Sequence, residues 1–131
     1  MPGLPAFRRA TLTAILVAAC VTAAHGQTQM ELNRQAGNEL QEADRKLNDV
    51  YRRLMAVTAV DWRPKLRQAQ LTWISFRDQE CEFETISTVG GSIHGMMVAN
   101  CRTRITLERV TELERLVNCQ EGDLSCPPVT R

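Results

Sequence analysis

A long run of regularly spaced apolar residues constrains the fold more than any other feature of this sequence. The apolar positions recur at steps of three and four: Leu32, Ala36, Leu40, Ala43, Leu47, Val50 or Tyr51, Leu54 and Val57. That period is typical of an amphipathic helix, because a half-buried strand would alternate every two residues. We therefore predict a first helix from about Thr28 to Val57, whose apolar face needs partners from the rest of the chain.

Two further helices follow from the same spacing. Pro64 suits the first turn of a second helix, which runs to about Phe83. A third helix is predicted from Ile93 or Gly95 to about Asn118. The expected inward faces are Leu66, Ala69, Gln70, Trp73, Phe76, Arg77 and Cys81 on the second helix, and Met97, Cys101, Ile105, Thr106, Arg109, Val110, Leu113 and Leu116 or Val117 on the third.

These elements predict an all-α fold. Short connections between three helices favour an antiparallel hairpin with the third helix packed across it. Residues 85–92 are β-branched and glycine-rich and are predicted to form a loop. Residues 119–131 form a turn-rich tail, so helices occupy residues 27–118 of a single domain that spans residues 27–131.

The first 26 residues have the pattern of a secretory signal peptide. Arg8 and Arg9 precede an apolar run, and Ala24-His25-Gly26 offers small residues at the cleavage site. The apolar run is too short for a bilayer span, which needs about 20 residues. Val17-Ala18-Ala19-Cys20 also resembles a lipobox, in which Cys20 would be lipidated and hold the protein at a membrane. Either outcome predicts a periplasmic or secreted domain.

Cysteine usage agrees with export. Four cysteines follow the signal segment, so two disulfides are the expected state. Three pairings are open. We favour Cys81–Cys101, which would close the glycine-rich loop and contribute roughly 3 kcal/mol, together with Cys119–Cys126 in the tail. The sequence contains no Cys-x-x-Cys pair, and we predict no bound metal.

Charge and motifs argue for a binding protein. Without the signal segment the net charge is about −1, and no basic block suggests nucleic acid. No nucleophile motif is present, and a small helical domain offers little room for the carboxylate-lined cleft of a glycosidase. We expect neither catalysis nor a cofactor. A mild acidic bias suits a cationic protein partner.

The predicted contact surface is the acidic end of the second helix with the loop that follows it. Its residues are Asp78, Glu80, Glu82, Glu84, Gly90, Gly91, Ser92 and His94. Loops fixed on a rigid scaffold are common binding elements. Arg77, Asp78 and Arg109 are instead interpreted as an internal ion pair that fixes the second helix against the third.

Several motifs together resemble the LprI-type lysozyme inhibitor domain, a family of small exported bacterial proteins. They are Asp44-x-x-Leu47-Asn48-x-x-Tyr51, Leu66-x-x-Ala69-Gln70-x-x-Trp73, Trp73-x-x-Phe76-Arg77-Asp78-x-Glu80-Cys81, Gly90-Gly91-Ser92, Cys101, Thr106-x-x-Arg109 and Leu113. The resemblance covers about Met30 to Leu116 and implies a lysozyme inhibitor. Our first hypothesis is that the acidic residues Asp78 to Glu84 and the Gly-Gly-Ser loop contact a cationic lysozyme and occlude its cleft. Many family members carry a cysteine near the start of the first helix; here Cys119 and Cys126 are the unusual pair.

A second hypothesis is a structural or adaptor module. It would dock onto another envelope protein through the exposed side of the first helix, where Arg34, Arg45 and Arg53 lie. The sequence leaves the oligomeric state open.

Overall fold

The computed structural model describes residues 28–120 and 122–128. Three helices dominate these ranges: α1 (Gln29–Val57), α2 (Arg63–Glu84) and α3 (His94–Val117). Short 3₁₀ turns, Val60–Trp62 and Ile86–Thr88, lie in the two connections, and the described residues contain no β-strand. The predicted all-α class is confirmed. The predicted signal segment and Cys20 lie outside the described residues.

Local chemistry explains where the first two helices begin and where α1 ends. The Thr28 side chain accepts a hydrogen bond from the Glu31 amide at 3.3 Å, which caps α1. Thr58 ends α1, and its buried hydroxyl donates to the Leu54 carbonyl at 2.7 Å. Pro64 lies in the first turn of α2, where its missing N–H leaves no hydrogen bond unmade.

The helices run up, down and up. Asn33 of α1 accepts a hydrogen bond from the Met96 amide at the start of α3, and Arg53 lies 3.4 Å from Glu114 near the ends of both helices. Helices α1 and α3 are therefore parallel, and α2 runs antiparallel to them. The most extensive packing joins α1 to α3, not α1 to its hairpin neighbour α2.

Burial explains why α1 and α3 form the principal pair. The main core cluster consists of Leu47, Val50, Leu54 and Leu113, all from these two helices. In contrast, the buried residues of α2 are Gln70 and Cys81. Ala69 and Met97 were predicted to face inward, which is wrong, because both are exposed. The same prediction is wrong for Phe76, whose exposed fraction is 53%. It lies beside the narrow stripe of Gln70, Trp73, Arg77 and Cys81 that faces the other helices.

Arg77 joins all three helices through one guanidinium group. Its side chain is only 12% exposed. Nη1 donates to Asp44 Oδ1 of α1 at 2.9 Å and to Thr106 Oγ1 of α3 at 3.1 Å. Nε donates to Asp78 Oδ1 at 3.1 Å. Because burial removes water from a charged group, these acceptors are what makes the position tolerable for arginine.

The predicted ion pair between Arg77 and Asp78 is therefore present. The residues that it contacts on α1 and α3 do not include the predicted Arg109. Arg102 of α3 places its Nε 3.2 Å from Asp78 Oδ1, although without hydrogen-bond alignment. Arg109 was grouped with this pair, whereas its ion-pair partner among the described residues is Glu112, one turn along the same helix. The guanidinium carbons of Arg77 and Arg109 lie 5.4 and 5.8 Å from the Trp73 ring centroid. Arg109 thus contacts α2 through the Trp73 ring and through a hydrogen bond to Gln70, and not through a carboxylate.

We expect Arg77→Met to lower the free energy of unfolding by about 2–3 kcal/mol, because it leaves two carboxylates and the buried Thr106 hydroxyl without their donor. Urea unfolding of the oxidised protein, followed by circular dichroism, measures this loss. Arg52→Met is the matched control, since Arg52 forms a surface pair with Asp49 and should cost less than about 0.5 kcal/mol. Equal unfolding midpoints for the two variants would contradict the stabilising role of Arg77.

Candidate interaction surface

A disulfide closes the base of the loop between α2 and α3. Cys81 and Cys101 are both buried and are bonded to each other, with a sequence separation of 20. This is the pairing that the sequence favoured. A covalent link of this loop length restricts the unfolded chain by roughly 3 kcal/mol in the loop-entropy model. The loop therefore begins and ends on helices that cannot separate.

Hydrogen bonds within the loop order its backbone. The buried Thr85 hydroxyl donates to the Cys81 carbonyl at 2.6 Å, and the Thr88 hydroxyl donates to the Thr85 carbonyl at 2.7 Å. His94 Nδ1 lies 2.8 Å from Thr88 Oγ1. Since Thr88 has already used its single proton, Nδ1 of His94 is the donor. His94 was predicted as a contact residue, and the structure places this nitrogen in the internal network of the loop.

The Gly90-Gly91-Ser92 segment is a tight turn. Gly90 has φ of 81°, a conformation that side chains with a Cβ rarely adopt. The Gly91 amide donates to the Thr88 carbonyl at 3.0 Å, and a Cβ at Gly91 would lie 3.1 Å from that oxygen. Both glycines are therefore explained by backbone geometry.

Asn33 of α1 fastens the far side of the loop, and sequence reasoning did not single it out. Its Nδ2 donates to the Ser92 carbonyl at 3.0 Å. Its Oδ1 accepts from the Met96 amide at 3.1 Å, the third residue of α3. The residue that precedes α3 is Ile93, which has no side-chain acceptor, so Asn33 supplies the cap from another helix. Asn33 and Met96 are 63 residues apart in the sequence, so no local sequence pattern indicates this contact.

The four predicted acidic residues do not form one free patch. Asp78 pairs with Arg77 and Arg102, and Glu84 accepts two hydrogen bonds from Arg104 at 2.7 and 3.0 Å.

The hydrogen bond from Arg104 to Glu84, followed by the attraction between the two charges, raises the pKa of Arg104. Glu80 and Glu82 have no ion-pair partner among the described residues. These two carboxylates are the ones available to a partner.

Exposed apolar side chains lie on the predicted contact surface, beside the acidic and loop residues that the sequence analysis named. Phe83, Ile86 and Val89 are 73%, 67% and 67% exposed. Ile93, at the end of the same loop, is also exposed. Large apolar groups held in water near one another are typical of interaction sites. We call the segment Phe83–Ile93 the apolar loop.

The cations of α1 are already neutralised by neighbouring carboxylates. Arg34 pairs with Glu31, Arg45 pairs with Glu42, and Arg53 contacts Asp49 and Glu114.

A side-chain hydrogen bond from the arginine is the largest cause that lowers the pKa of Glu31 and of Glu42. This face of α1 therefore presents paired charges and no excess of either sign.

The tail is fastened by the second disulfide, Cys119–Cys126. The Ala59 amide donates to the Pro128 carbonyl at 3.0 Å, which joins the tail to the α1–α2 connection. Asp123 lies close to both cysteines and accepts from the Ser125 amide at 2.8 Å, a bond that lowers the pKa of its carboxyl. The disulfide uses both sulfur atoms, so this cluster does not offer thiolate ligands to a metal.

Together these observations define a small all-α protein with two disulfides and a hydrogen-bonded, exposed apolar loop. No helix in the described ranges is both long and apolar enough to cross a membrane. The family model described as lysozyme inhibitor LprI matches residues 20–113. The chain therefore belongs to the LprI lysozyme inhibitor family, a family of inhibitors and not of enzymes.

The chain is also similar to a curated protein. An uncharacterised protein of Rhizobium meliloti (strain 1021) is 32% identical over 108 residues, which cover 72% of this chain and 78% of the relative. No solved structure matches the chain significantly.

We expect Asn33→Ala to speed hydrogen exchange of the Met96 amide about tenfold, because the loss of a helix cap costs about 1 kcal/mol or more. Hydrogen exchange followed by NMR should show the effect in the loop and the first turn of α3, with the middle of α1 unchanged. Asn38→Ala is the matched control, since the Asn38 side chain is exposed and has no hydrogen-bond partner among the described residues. Equal exchange in both variants would show that Asn33 does not hold the loop.

Proposed function

We propose that this protein is exported to the bacterial envelope and inhibits a lysozyme there by placing its apolar loop in the cleft of the enzyme. Membership of the LprI family supports inhibition, and the N-terminal sequence supports export. The structural observation that carries the proposal is the loop itself, which is fixed at its base and exposes Phe83, Ile86 and Val89. Inhibition by occlusion needs neither a cofactor nor a catalytic group.

A fixed loop suits this role for an energetic reason. Binding costs conformational entropy when a flexible segment becomes ordered. Here the disulfide, the Thr85 and Thr88 hydrogen bonds and Asn33 order the loop before any partner arrives. Burial of three large apolar side chains then contributes to affinity, as the central residues of interfaces do.

Charge complements this apolar contact. Glu80 and Glu82 lie near the loop with no intramolecular ion pair in the described part of the chain. Their free carboxylates would attract a cationic enzyme and raise the association rate. The paired cations of α1 offer no comparable attraction for an adaptor contact.

Inhibition can be tested directly with the oxidised protein. Lysis of labelled peptidoglycan by c-type and g-type lysozymes should fall as the protein concentration rises. No protection at micromolar protein against either class would overturn the proposal.

We expect Val89→Asn to weaken inhibition about tenfold, because a polar side chain would enter an apolar contact. The readout is the inhibition constant in the lysis assay. Val60→Asn is the matched control, since Val60 is 64% exposed and lies at the opposite end of the helices. Equal weakening in both variants, or in neither, would place the contact away from the apolar loop.

We expect Glu82→Lys to weaken binding at low ionic strength by about fivefold and to flatten the dependence of affinity on salt, because long-range attraction is lost. Titration at several salt concentrations measures both effects. Asp61→Lys makes the same charge change at an exposed carboxylate that has no ion pair among the described residues. An unchanged salt dependence in Glu82→Lys would exclude this carboxylate from the attraction.

A further inference from the structure

A groove of about 370 Å³ lies between α1 and α2, on the sides of the helices and away from the apolar loop. Its polar lining includes Asn48 and Tyr51 from α1 and Arg67, Gln70 and Arg77 from α2. Most of these positions belong to the motifs that carry the family resemblance, yet the proposed inhibition does not use them. Their groups nevertheless converge on one concave site.

Gln70 supplies the groove with a hydrogen-bond donor. It is only 8% exposed, and its Oε1 accepts a hydrogen bond from Arg109 Nε at 3.4 Å. This hydrogen bond identifies the amide oxygen as the atom that faces Arg109. The amide nitrogen is therefore the atom that can donate to the groove. Within the described residues this nitrogen has no acceptor. The nitrogen is not sealed from solvent, so it can donate a hydrogen bond to a ligand that enters the groove.

The other groups of the groove are also mainly donors. Arg77 uses Nε and Nη1 within the protein, and its Nη2 has no acceptor in the described part of the chain. Arg67 and the Tyr51 hydroxyl likewise have no hydrogen-bond partner among the residues described. Asp44 is the one carboxylate of the lining, and Arg77 already engages it at 2.9 Å. The unneutralised charge is therefore the single positive charge of Arg67.

An apolar wall completes the site. Leu71 and Ile74 of α2 line the groove and are exposed to solvent, and the buried Leu47 lies beneath them. Small-molecule sites commonly combine such apolar surface with a few placed polar groups. A ligand with one acidic end and a short hydrocarbon part would match both halves of the lining.

The geometry points to a binding site for a small carboxylate of about dipeptide size. Arg67 and the Gln70 amide receive the carboxylate, and Leu71 and Ile74 contact the apolar part of the ligand. One unpaired cation suits a monoanion, and the planar guanidinium matches a carboxylate with two parallel hydrogen bonds. This inference does not depend on inhibition of lysozyme, because the groove and the apolar loop share no residue.

The probe for this site is N-acetyl-L-alanyl-L-alanine, with its C-terminal amide as the uncharged analogue. NMR titration of the ¹⁵N-labelled, oxidised protein should show saturable shifts of the Gln70 and Asn48 side-chain amides. We expect the amide analogue and the variant Arg67→Gln each to bind about tenfold more weakly, because a charge-assisted hydrogen bond is lost. The Arg67 side chain makes no hydrogen bond or ion pair within the described residues, so this variant should fold normally.

Arg115→Gln is the control, since it removes an exposed cation outside the groove. Unchanged binding in this control supports the assignment. No saturable shift up to about 10 mM peptide would overturn the site. Equal binding of the acid and the amide, or unchanged binding in Arg67→Gln, would overturn carboxylate recognition.

Discussion

The buried guanidinium of Arg77 is the interaction on which the three-helix arrangement depends. A charged group with so little exposure needs several acceptors, and no single helix provides them all. Asp44, Asp78 and Thr106 supply them from α1, α2 and α3. The hydrogen bonds therefore align the three helices at one level. This matters in a small domain, where the main apolar cluster comes from α1 and α3 and leaves α2 few apolar contacts to hold it.

The second structural constraint lies in the loop between α2 and α3. The residues that stabilise this loop are different from the residues that it exposes for binding. The Cys81–Cys101 disulfide and Asn33 hold the loop from its base and from α1. Because the disulfide and Asn33 fix the loop, the side chains of Phe83, Ile86 and Val89 can remain exposed to solvent. Such an arrangement favours binding, since the loop is ordered without using its apolar side chains in the core.

The two surfaces of the protein differ in chemistry. The apolar loop exposes hydrocarbon beside two unpaired carboxylates and suits a large cationic partner. The groove between α1 and α2 offers an excess of donors and one unpaired cation, which suits a small anion. Occupation of one surface leaves the other accessible, because they lie on different parts of the molecule.

Much of the fold was predictable because the apolar spacing that indicates a helix lies within one continuous stretch of sequence. Apolar spacing located all three helices to within a few residues, and Pro64 marked the start of α2. The cysteines and the glycine-rich loop favoured the observed disulfides. The position of the loop was likewise evident, as was the burial of Arg77.

The sequence by itself thus determined the helices, most of the inward residues of α1 and α3, and the segment that forms the loop. Only the tertiary structure decided that α1 packs chiefly on α3, that Phe76 is exposed and that Asn33 caps another helix. It also decided which carboxylates are paired, leaving Glu80 and Glu82 available. The reason is physical: periodicity records which side of a helix is apolar, whereas partners such as Asn33 and Met96 meet across 63 residues through packing that no local pattern encodes.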